Sequence, residues 1–440
     1  MPHYSAAPLG MRVAAPPLSR QSAARTVAAS MLGNVLEWFD YAVFGFLVAP
    51  IGKAFFPAES ALGQTLGAWM VFAVGFFARP LGGIVLGRLG DRKGRKWLLT
   101  ISVALISGST LAVGCLPTCE QVGWIATVAL VACRIMQGFS LGGEFTGSMA
   151  YATEHAQPSA RGLIGGSTAA GSIVGFLVGS AVVALIDRTL SPEEIDSWGW
   201  RIPFLASAVA AAAGWRLRRS VQESEAGRAA CAIANRPPAL VAIARDWRPS
   251  LQLLAIVAFA NSLYYYGFDA AVVSAKAASP GRASDIQSAT TLSLLVMGVS
   301  TVAGGWMSDR MGRRTSAMLF TLWGMVVLVP AWMVMGDTAS SPASFLCAQL
   351  LVAVPVGLAL GMQGTMLVEM FPLSSRVVSM SFAYSVAMAL AGGLMPALNE
   401  WLVEEMRIPG ATPAWIGALG ATAVITLMLM RDPTGRDLAT

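Results

Sequence analysis

Long apolar runs recur along the whole chain, each about the length of a helix that crosses a lipid bilayer. A hydrocarbon core about 30 Å thick needs about 20 apolar residues per helix. A shorter run at 201–215 is bracketed by Trp198, Trp200 and Trp215, and tryptophan anchors helices at the membrane surface. The longer runs lie at 30–52, 64–86, 97–117, 122–147, 163–187, 251–275, 287–307, 315–336, 343–366, 377–398 and 413–430. The pattern predicts an all-α integral membrane protein with twelve transmembrane helices.

The distribution of charge supports this fold and sets its orientation. Charged residues make up 12% of the chain and hydrophobic residues 55%, whereas soluble domains carry about 25% charged residues. Most of the 30 lysines and arginines lie in alternate connecting segments, above all 88–96, 216–248 and 310–314. Because cytoplasmic loops of membrane proteins are rich in Lys and Arg, we expect both termini to be cytoplasmic. The net charge of +6 then reflects topology and requires no nucleic-acid partner.

The chain contains one loop twice. "GRLGDRKGRK" begins at Gly87 and "GWMSDRMGRR" begins at Gly305, about half the chain length apart. A second pair, "EHAQPSAR" from Glu154 and "EMFPLSSR" from Glu369, has nearly the same separation. Two parallel six-helix halves are one architecture of secondary transporters. We expect a disordered cytoplasmic tail at 1–28, an N-terminal six-helix bundle at 29–219, a cytoplasmic linker at 220–248, a C-terminal six-helix bundle at 249–432 and a cytoplasmic tail at 433–440.

The duplicated loop, G-x-x-x-D-R-x-G-R-[KR], resembles the signature of the major facilitator superfamily. A narrower resemblance is to the metabolite:proton symporter branch, which includes carriers of oxoglutarate, citrate, shikimate and betaine or proline. It is carried by "GNVLEWFDYAVFGF" at 33–46, "FFARPLGG" at 76–83, "RIMQGFSLGGEFTGS" at 134–148 and "WGWRIPF" at 198–204. The resemblance implies a two-bundle, alternating-access carrier of the bacterial inner membrane. The loop residues expected to act in gating are Asp91, Arg92, Arg95, Asp309, Arg310 and Arg313.

Several charged side chains fall inside the predicted helices. A charge near the middle of a bilayer costs about 2.5–3.5 kcal/mol on insertion scales, so such residues face a partner or a cavity. The helical spacing gives polar faces with Asn34, Glu37, Asp40 and Tyr41 on the first helix and Arg134, Gln137 and Glu144 on the fourth.

We expect Glu37 and Asp40 to face Arg134 near mid-membrane. Because arginine does not lose its proton in proteins, the carboxylates must titrate, and proton coupling is assigned to Glu37, Asp40, Arg134 and Glu144. The resemblance agrees, since the fourth-helix arginine is associated with coupling in many members of the superfamily. The alternative is a static ion pair that fixes helix packing.

Candidate substrate contacts come from both halves. Arg79 has two interpretations, a ligand for a substrate carboxylate or a side chain that extends to the cytoplasmic surface. Asp269 has three: a second proton site, a partner for a cationic or zwitterionic substrate, or a structural bridge to Lys276. Buried Gln and Tyr are also common interhelical hydrogen bonders. The predicted set is Tyr41, Arg79, Gln137, Asn261, Tyr265, Asp269, Gln363 and Tyr384.

The sequence therefore predicts a proton-coupled symporter that imports a small polar metabolite, with an organic acid such as a di- or tricarboxylate as the first choice. Its partners would be substrate, protons and lipid, and the protein would act as a monomer. The alternatives are uptake of a betaine-like or proline-like zwitterion, or export on the same fold. The zwitterion is placed second because the chain ends soon after the last run, without the long coiled coil of osmosensing members. The sequence contains no nucleotide loop, His/Cys cluster or Ser–His arrangement, so no enzyme, cofactor or metal site is expected.

Overall fold

The computed structural model describes residues 20–56, 60–93, 95–208, 212, 238–337, 341–373, 375–408, 410–436 and 438. Helices occupy all twelve predicted positions in this part of the chain. They are α1 (Arg20–Phe46, continued by Val48–Phe55), α2 (Ala61–Lys93), α3 (Arg95–Cys115), α4 (Ile125–Leu141, continued by Glu144–Glu154), α5 (Arg161–Thr189), α6 (202–208), α7 (Trp247–Tyr265, Tyr266–Ala270 and Ala271–Ala278), α8 (Ala283–Met311), α9 (Arg313–Met335), α10 (Pro342–Met370), α11 (Arg376–Met388, Ala389–Gly393, Met395–Glu400 and Trp401–Glu405) and α12 (Ala411–Leu429).

The lengths of these helices agree with a membrane protein. Among the described residues, nine helices are long and apolar enough to cross a membrane, and ten if the bent α1 counts as one span. Of the remaining two, α3 has a shorter apolar part, and the described part of α6 ends at residue 208. Large apolar side chains such as Val326 and Leu429 are 74% and 80% exposed. An apolar exterior of this kind suits contact with lipid.

One predicted boundary differs from the structure, and the predicted linker is partly helical. Helix α1 begins at Arg20, so the last residues of the predicted tail 1–28 are helical, as their alanine content favours. Residues 1–19 lie outside the described chain, as do residues 220–237 of the predicted linker. The rest of the linker contains a short helix, Ala239–Arg245. Asp246 follows it and accepts hydrogen bonds from Ser375 and Ser379 at the start of α11 (2.5 and 2.7 Å).

The two bundles touch through glycines that leave no room for side chains. A Cβ on Gly162 of α5 would lie 2.3 Å from the carbonyl oxygen of Gly305 on α8, and a Cβ on Gly305 would lie 2.2 Å from that of Gly162. Within the N-terminal bundle, a Cβ on Gly138 of α4 would lie 1.7 Å from the carbonyl oxygen of Gly75 on α2. Small residues allow such close approach of membrane helices.

Helices α1 and α7 are both irregular at the interface between the bundles. Helix α1 bends by 71° between Phe46 and Val48. Helix α7 contains a π-helical turn at Tyr266–Ala270. Single π turns inside α-helices often mark functional positions, and both irregularities lie near the acidic residues described below.

Candidate transport site

Asp40 of α1 and Arg134 of α4 form a buried ion pair. Arg134 Nη1 lies 2.9 Å from Asp40 Oδ2, and the two side chains are 0% and 1% exposed. Asp40 Oδ1 also accepts hydrogen bonds from Thr110 Oγ1 and Gln137 Nε2, each at 2.9 Å. The Arg134 guanidinium lies over the Phe44 ring, 3.7 Å from its centroid. The carboxylate is therefore held by three donors, one of them charged.

Glu37 of α1 and Arg79 of α2 form a second pair. Arg79 Nη2 donates a hydrogen bond to Glu37 Oε1, and both side chains are buried. The guanidinium lies over the rings of Tyr41 and Phe76, 5.0 and 4.9 Å from their centroids, where aromatic faces attract a cation. Glu37 Oε2 has no hydrogen-bond partner among the described residues. Arg79 Nε also has no partner there, and in the other pair the atoms without one are Arg134 Nε and Nη2. The two carboxylates therefore differ, because both oxygens of Asp40 accept hydrogen bonds and only one oxygen of Glu37 does.

The structure separates what the sequence placed in one cluster. Glu37 faces Arg79 and not Arg134, because positions three apart on a helix point in directions about 60° apart at 3.6 residues per turn. Tyr41 lies between the pairs, since its ring is 5.0 Å from the Arg79 guanidinium and 5.6 Å from that of Arg134. Arg79 is 2% exposed, so its predicted extension to the membrane surface is wrong.

Glu144 adds a second acid on the Arg79 side. It is 1% exposed and opens the second segment of α4. Its charge interacts with that of Glu37. Glu37 therefore lies beside a second carboxylate as well as Arg79, and these three residues are here called the Glu37 group.

A small cavity lies between the two bundles. Its volume is about 30 Å³, room for a water molecule or two and too little for a metabolite. Phe145 and Tyr384 stack across the interface at its edge, with ring centroids 4.8 Å apart. The polar and aromatic side chains that line the cavity are Trp38, Phe145, Ser172, Phe176, Asn261, Tyr264, Gln363 and Tyr384.

Three of the predicted substrate contacts line this cavity: Asn261, Gln363 and Tyr384. Arg79 lies one side chain away, 5.6 Å from the centroid of the Trp38 ring. Trp38 also lines the cavity and is absent from the predicted set, although it stands between Glu37 and Asp40 in the sequence. Its place in the "EWFDY" motif beside both acids is the signal that could have identified it.

Tyr265 and Gln137 take other positions. Tyr265 packs edge-on against Phe72 and Phe76 of α2, with centroids 6.0 and 5.7 Å apart. Because the Arg79 guanidinium lies over the Phe76 ring as well, Tyr265 stands beside the Glu37–Arg79 pair, on the side of the C-terminal bundle. Gln137 donates a hydrogen bond to Asp40.

Asp269 is isolated. It is fully buried, and neither carboxyl oxygen has a hydrogen-bond partner among the described residues. The predicted bridge to Lys276 is wrong, because Lys276 Nζ lies 2.7 Å from Asp187 Oδ2 at the end of α5. Seven residues along a helix separate two side chains by about 10 Å, and the interface between the bundles offers Lys276 a nearer acid.

At the end of the molecule that contains the loop 305–314, here called the loop end, charged residues join the bundles. Asp309 of α8 accepts hydrogen bonds from the backbone N–H groups of Gly162 and Leu163 at 2.7 and 2.8 Å. These N–H groups belong to the first turn of α5, where a helix favours negative charge. Arg313 Nη1 lies 2.9 Å from Asp309 Oδ1, and Arg313 Nε lies 2.9 Å from Glu369 Oε2.

Two further ion pairs cross between the bundles at the loop end. Arg376 lies 2.9 Å from Glu154, and Arg161 lies 3.6 Å from Glu369. Arg376 also donates to the backbone carbonyl of Leu438 at 2.9 Å, and Arg161 donates to that of Arg436 at 2.8 Å. The sequence reading noted the repeated "E…R" segments at 154–161 and 369–376 without giving them a role. Each arginine pairs with the acid of the other repeat, which one repeat alone does not reveal.

The predicted gating residues divide into three groups. Asp309 and Arg313 lie in the contact between the bundles. Arg310 lies over the Trp306 ring, 3.7 Å from its centroid. The side chains of Asp91, Arg92 and Arg95 lie outside the described part of the structure.

The opposite end of the molecule is also closed. Besides Lys276 and Asp187, Arg188 donates to Ser288 Oγ at 3.0 Å. Ser180 and Thr291 share a hydrogen bond of 2.7 Å. Polar contacts therefore join the bundles at both ends, with the small cavity between them, and the arrangement is occluded.

We expect Asp309→Asn to open the loop end. The substitution weakens charge-assisted bonds to α5, and hydrogen bonds to charged groups contribute about 1.5–3 kcal/mol, so the open population should rise at least about tenfold. Cysteines placed along α5 and α8 near this end should react faster with a membrane-impermeant maleimide. Asp285→Asn, an exposed acid at the other end of α8, is the matched control. Unchanged labelling in Asp309→Asn would remove this contact from gating.

Comparison with known proteins agrees with this architecture. A family model described as "Sugar (and other) transporter" matches residues 26–226, and one described as "Major Facilitator Superfamily" matches residues 254–439. The proton:xylose symporter XylE has a similar fold, with a TM-score of 0.72 and 18% identity, over 96% of this chain and 98% of that structure.

Sequence relatives narrow the placement. The citrate-proton symporter of Salmonella typhi is 32% identical over 91% of this chain and 93% of its own length. The alpha-ketoglutarate permease of Escherichia coli is 30% identical over 92% and 93%. The proline/betaine transporter of Escherichia coli is 29% identical over 94% and 84%. The chain belongs to the major facilitator superfamily, in the branch that contains these metabolite carriers.

Proposed function

We propose that the protein is a proton-coupled symporter of the bacterial inner membrane that imports a small metabolite carrying a carboxylate. The observation that carries this proposal is the buried Glu37–Arg79 pair, one side chain from the cavity between the bundles. A guanidinium binds carboxylates in a fork geometry. A substrate carboxylate can therefore replace Glu37 on Arg79 when Glu37 becomes neutral.

Protonation and binding are linked by this exchange. Glu37 and Glu144 are both buried and their charges interact, so a proton on either acid reduces repulsion between like charges. Proton and substrate then occupy the Glu37 group together, and its net charge changes little when both have bound. Cross-bundle aromatic contacts such as Phe145–Tyr384 can close over the cargo.

Asp40 and Arg134 supply a second element of coupling. In the occluded arrangement the two charges face each other, and both oxygens of Asp40 accept hydrogen bonds. A proton on Asp40 would remove its charge and release Arg134, which changes the contact of α1 with α4. We take the loop end as cytoplasmic, in line with its arginines and lysines. When the bundles open at this end, the proton and the substrate are released together.

Relatives of the same branch support the proton as the driving ion, because one is named a citrate-proton symporter. Another is named an inner membrane metabolite transport protein, which supports the location. We take the working unit to be a single chain embedded in lipid, since the occluded site is built from the two bundles of one molecule.

Organic acids are the first substrate class, and zwitterions are a second. The aromatic lining of the cavity favours the second class, because Trp, Tyr and Phe faces attract quaternary ammonium groups. Three relatives that carry proline and betaine in their names share 29% identity with this chain. Both classes carry the carboxylate that Arg79 would bind.

Uptake in proteoliposomes tests the proposal. With an inward proton gradient, radiolabelled citrate, 2-oxoglutarate, glycine betaine and proline should be compared for accumulation, with a protonophore as the control. We expect one class to accumulate above equilibrium and to alkalinise a weakly buffered exterior as it enters. Proton symport of carboxylates would be contradicted if none of these compounds accumulated, or if the protonophore left accumulation unchanged. Substrate movement out with proton entry would instead assign the protein to export.

A further inference from the structure

The interface between the bundles contains one more buried acid, which the mechanism above does not use. Asp269 lies in the π-helical turn of α7, fully buried, and no described residue hydrogen-bonds to either carboxyl oxygen. An ionised carboxylate buried without a partner is costly, and such groups become neutral instead. The role of a neutral Asp269 in transport depends on the groups that surround it.

The carboxyl group of Asp269 is pressed against the backbone of the other bundle. A Cβ on Gly45 of α1 would lie only 2.5 Å from Asp269 Oδ1 and 3.3 Å from its Cγ. Gly45 stands next to the 71° bend that separates Phe46 from Val48. The contact therefore joins the π-helical turn of α7 to the bend of α1, across the interface between the bundles.

Charged groups on the surrounding helices are engaged elsewhere. Lys276, on the next segment of α7, pairs with Asp187. On α1, Lys53 pairs with Asp196, and Asp40 is held by Arg134. On α11, Glu400 has a contact of its own.

Two phenols are the titratable groups that do interact with Asp269. Tyr264 and Tyr265, one turn back on α7, both show this interaction. A neutral phenol does not balance a carboxylate charge. In the occluded arrangement the described residues thus give Asp269 no cation.

The position of Asp269 along α7 tells which end it controls. It follows Trp247, the first residue of α7, by a rise of about 33 Å and precedes Lys276, which closes the end opposite the loop end. When the bundles part at that outer end, the Asp269–Gly45 contact must break, and the carboxyl group meets outside water.

We propose that Asp269 is a protonation site that controls closure of the outer end, so that the bundles close over Gly45 only after Asp269 has taken a proton from outside. A charged carboxylate would have to leave water for a site without a cation, and this holds the outer end open. The inference rests on the proposed function, since it adds a further proton-binding step to a proton-coupled carrier.

Distances between spin labels test the proposal. Thr189, exposed at the end of α5, and Gly281, where an added side chain meets nothing within 4 Å, mark the outer ends of the two bundles. With native cysteines replaced, the label distance should fall as the pH is lowered. In Asp269→Asn the short distance should persist at every pH, because the amide is permanently neutral.

Asp187→Asn is the matched control. It weakens the Lys276 contact and should reduce the closed population at every pH while leaving the pH dependence in place. If the Asp269→Asn protein is expressed at too low a level, Asp269→Ser supplies a smaller neutral side chain for the same measurement. A wild-type pH dependence in either Asp269 variant overturns the proposal.

A steric variant checks the contact itself. Gly45→Ala should hold the outer end open, because its Cβ would clash with the carboxyl oxygen, and adding Asp269→Ser should restore closure. If Asp269→Ser does not restore closure, the contact does not control this end.

Uptake separates this inference from the proposed function. If the wild type shows proton-driven uptake but its label distance does not change with pH, only the role of Asp269 is refuted. Absence of proton-driven uptake would refute the proposed function, and a label distance that still shortened through Asp269 would leave its closure role standing.

Discussion

Arg79→Ala should abolish substrate binding and uptake. Arg79 is the buried cation nearest the cavity lining, with its guanidinium over Tyr41, Phe76 and Trp38. Removing one partner of a buried ion pair costs about 3–5 kcal/mol, and a bound carboxylate that loses the guanidinium is left in the same situation. We expect affinity to fall by at least about 100-fold, since 1.4 kcal/mol is a factor of ten. Equilibrium binding to purified protein measures this loss separately from transport.

Two companion variants show whether the loss is one of recognition or of folding. Arg79→Ala leaves Glu37 without its partner, so the double variant Arg79→Ala with Glu37→Gln should recover thermal stability while still failing to bind. Arg79→Lys keeps the charge but not the fork of donors, and should bind weakly. Arg88→Ala, an exposed position on the same helix, should transport normally. Binding of near wild-type affinity by Arg79→Ala would mean that another group holds the carboxylate.

The helices and their order could be predicted because each apolar run must be long enough to cross the bilayer, whatever helices surround it. Helix length follows from membrane thickness, and no partner needs to be known. The irregular points could not be predicted in the same way. Nothing in the sequence indicates a bend of 71° beside Gly45 or a π-helical turn around Asp269.

The candidate site could be predicted in part, where depth and helical face decided the pairing. Asp40 and Arg134 lie at similar depth on polar faces, and they do pair. The partner of Glu37 was missed because the rotation of α2 about its own axis, which turns Arg79 inward, is set by packing against α4. The bridge from Asp269 to Lys276, one of three interpretations of Asp269, assumed that two residues on one helix pair, although the nearer acid comes from the other bundle.

The loop end shows the same limit for contacts between repeats. The duplicated segments were visible at Glu154 and Glu369, and they would have suggested two equivalent local pairs. In the structure Arg376 binds Glu154 and Arg161 binds Glu369, so each repeat completes the other. A pseudo-symmetric arrangement of two bundles produces this exchange, and it depends on how the halves face each other.

Asp40→Asn should uncouple transport from the proton gradient without stopping substrate movement. The amide mimics a permanently protonated Asp40, keeps an oxygen for Thr110 and Gln137, and no longer holds Arg134 by charge. A carrier fixed in the protonated state can still exchange loaded substrate. Counterflow in proteoliposomes should therefore persist, while accumulation driven by a pH gradient and the accompanying alkalinisation of the exterior are lost.

Arg134→Ala should be more damaging than Asp40→Asn, because it leaves a buried carboxylate with only neutral donors. The cost of such a stranded charge is about 3–5 kcal/mol, so we expect lower thermal stability together with loss of both counterflow and accumulation. Adding Asp40→Asn to Arg134→Ala should restore stability and part of the counterflow, since no buried charge is left unpaired. Asp196→Asn, which breaks a half-exposed ion pair with Lys53, should change neither readout, because surface pairs contribute about 0–1 kcal/mol. If Asp40→Asn, Glu37→Gln and Glu144→Gln each keep the alkalinisation signal, the transported proton does not use these acids, and Asp269 becomes the site to which coupling must be assigned.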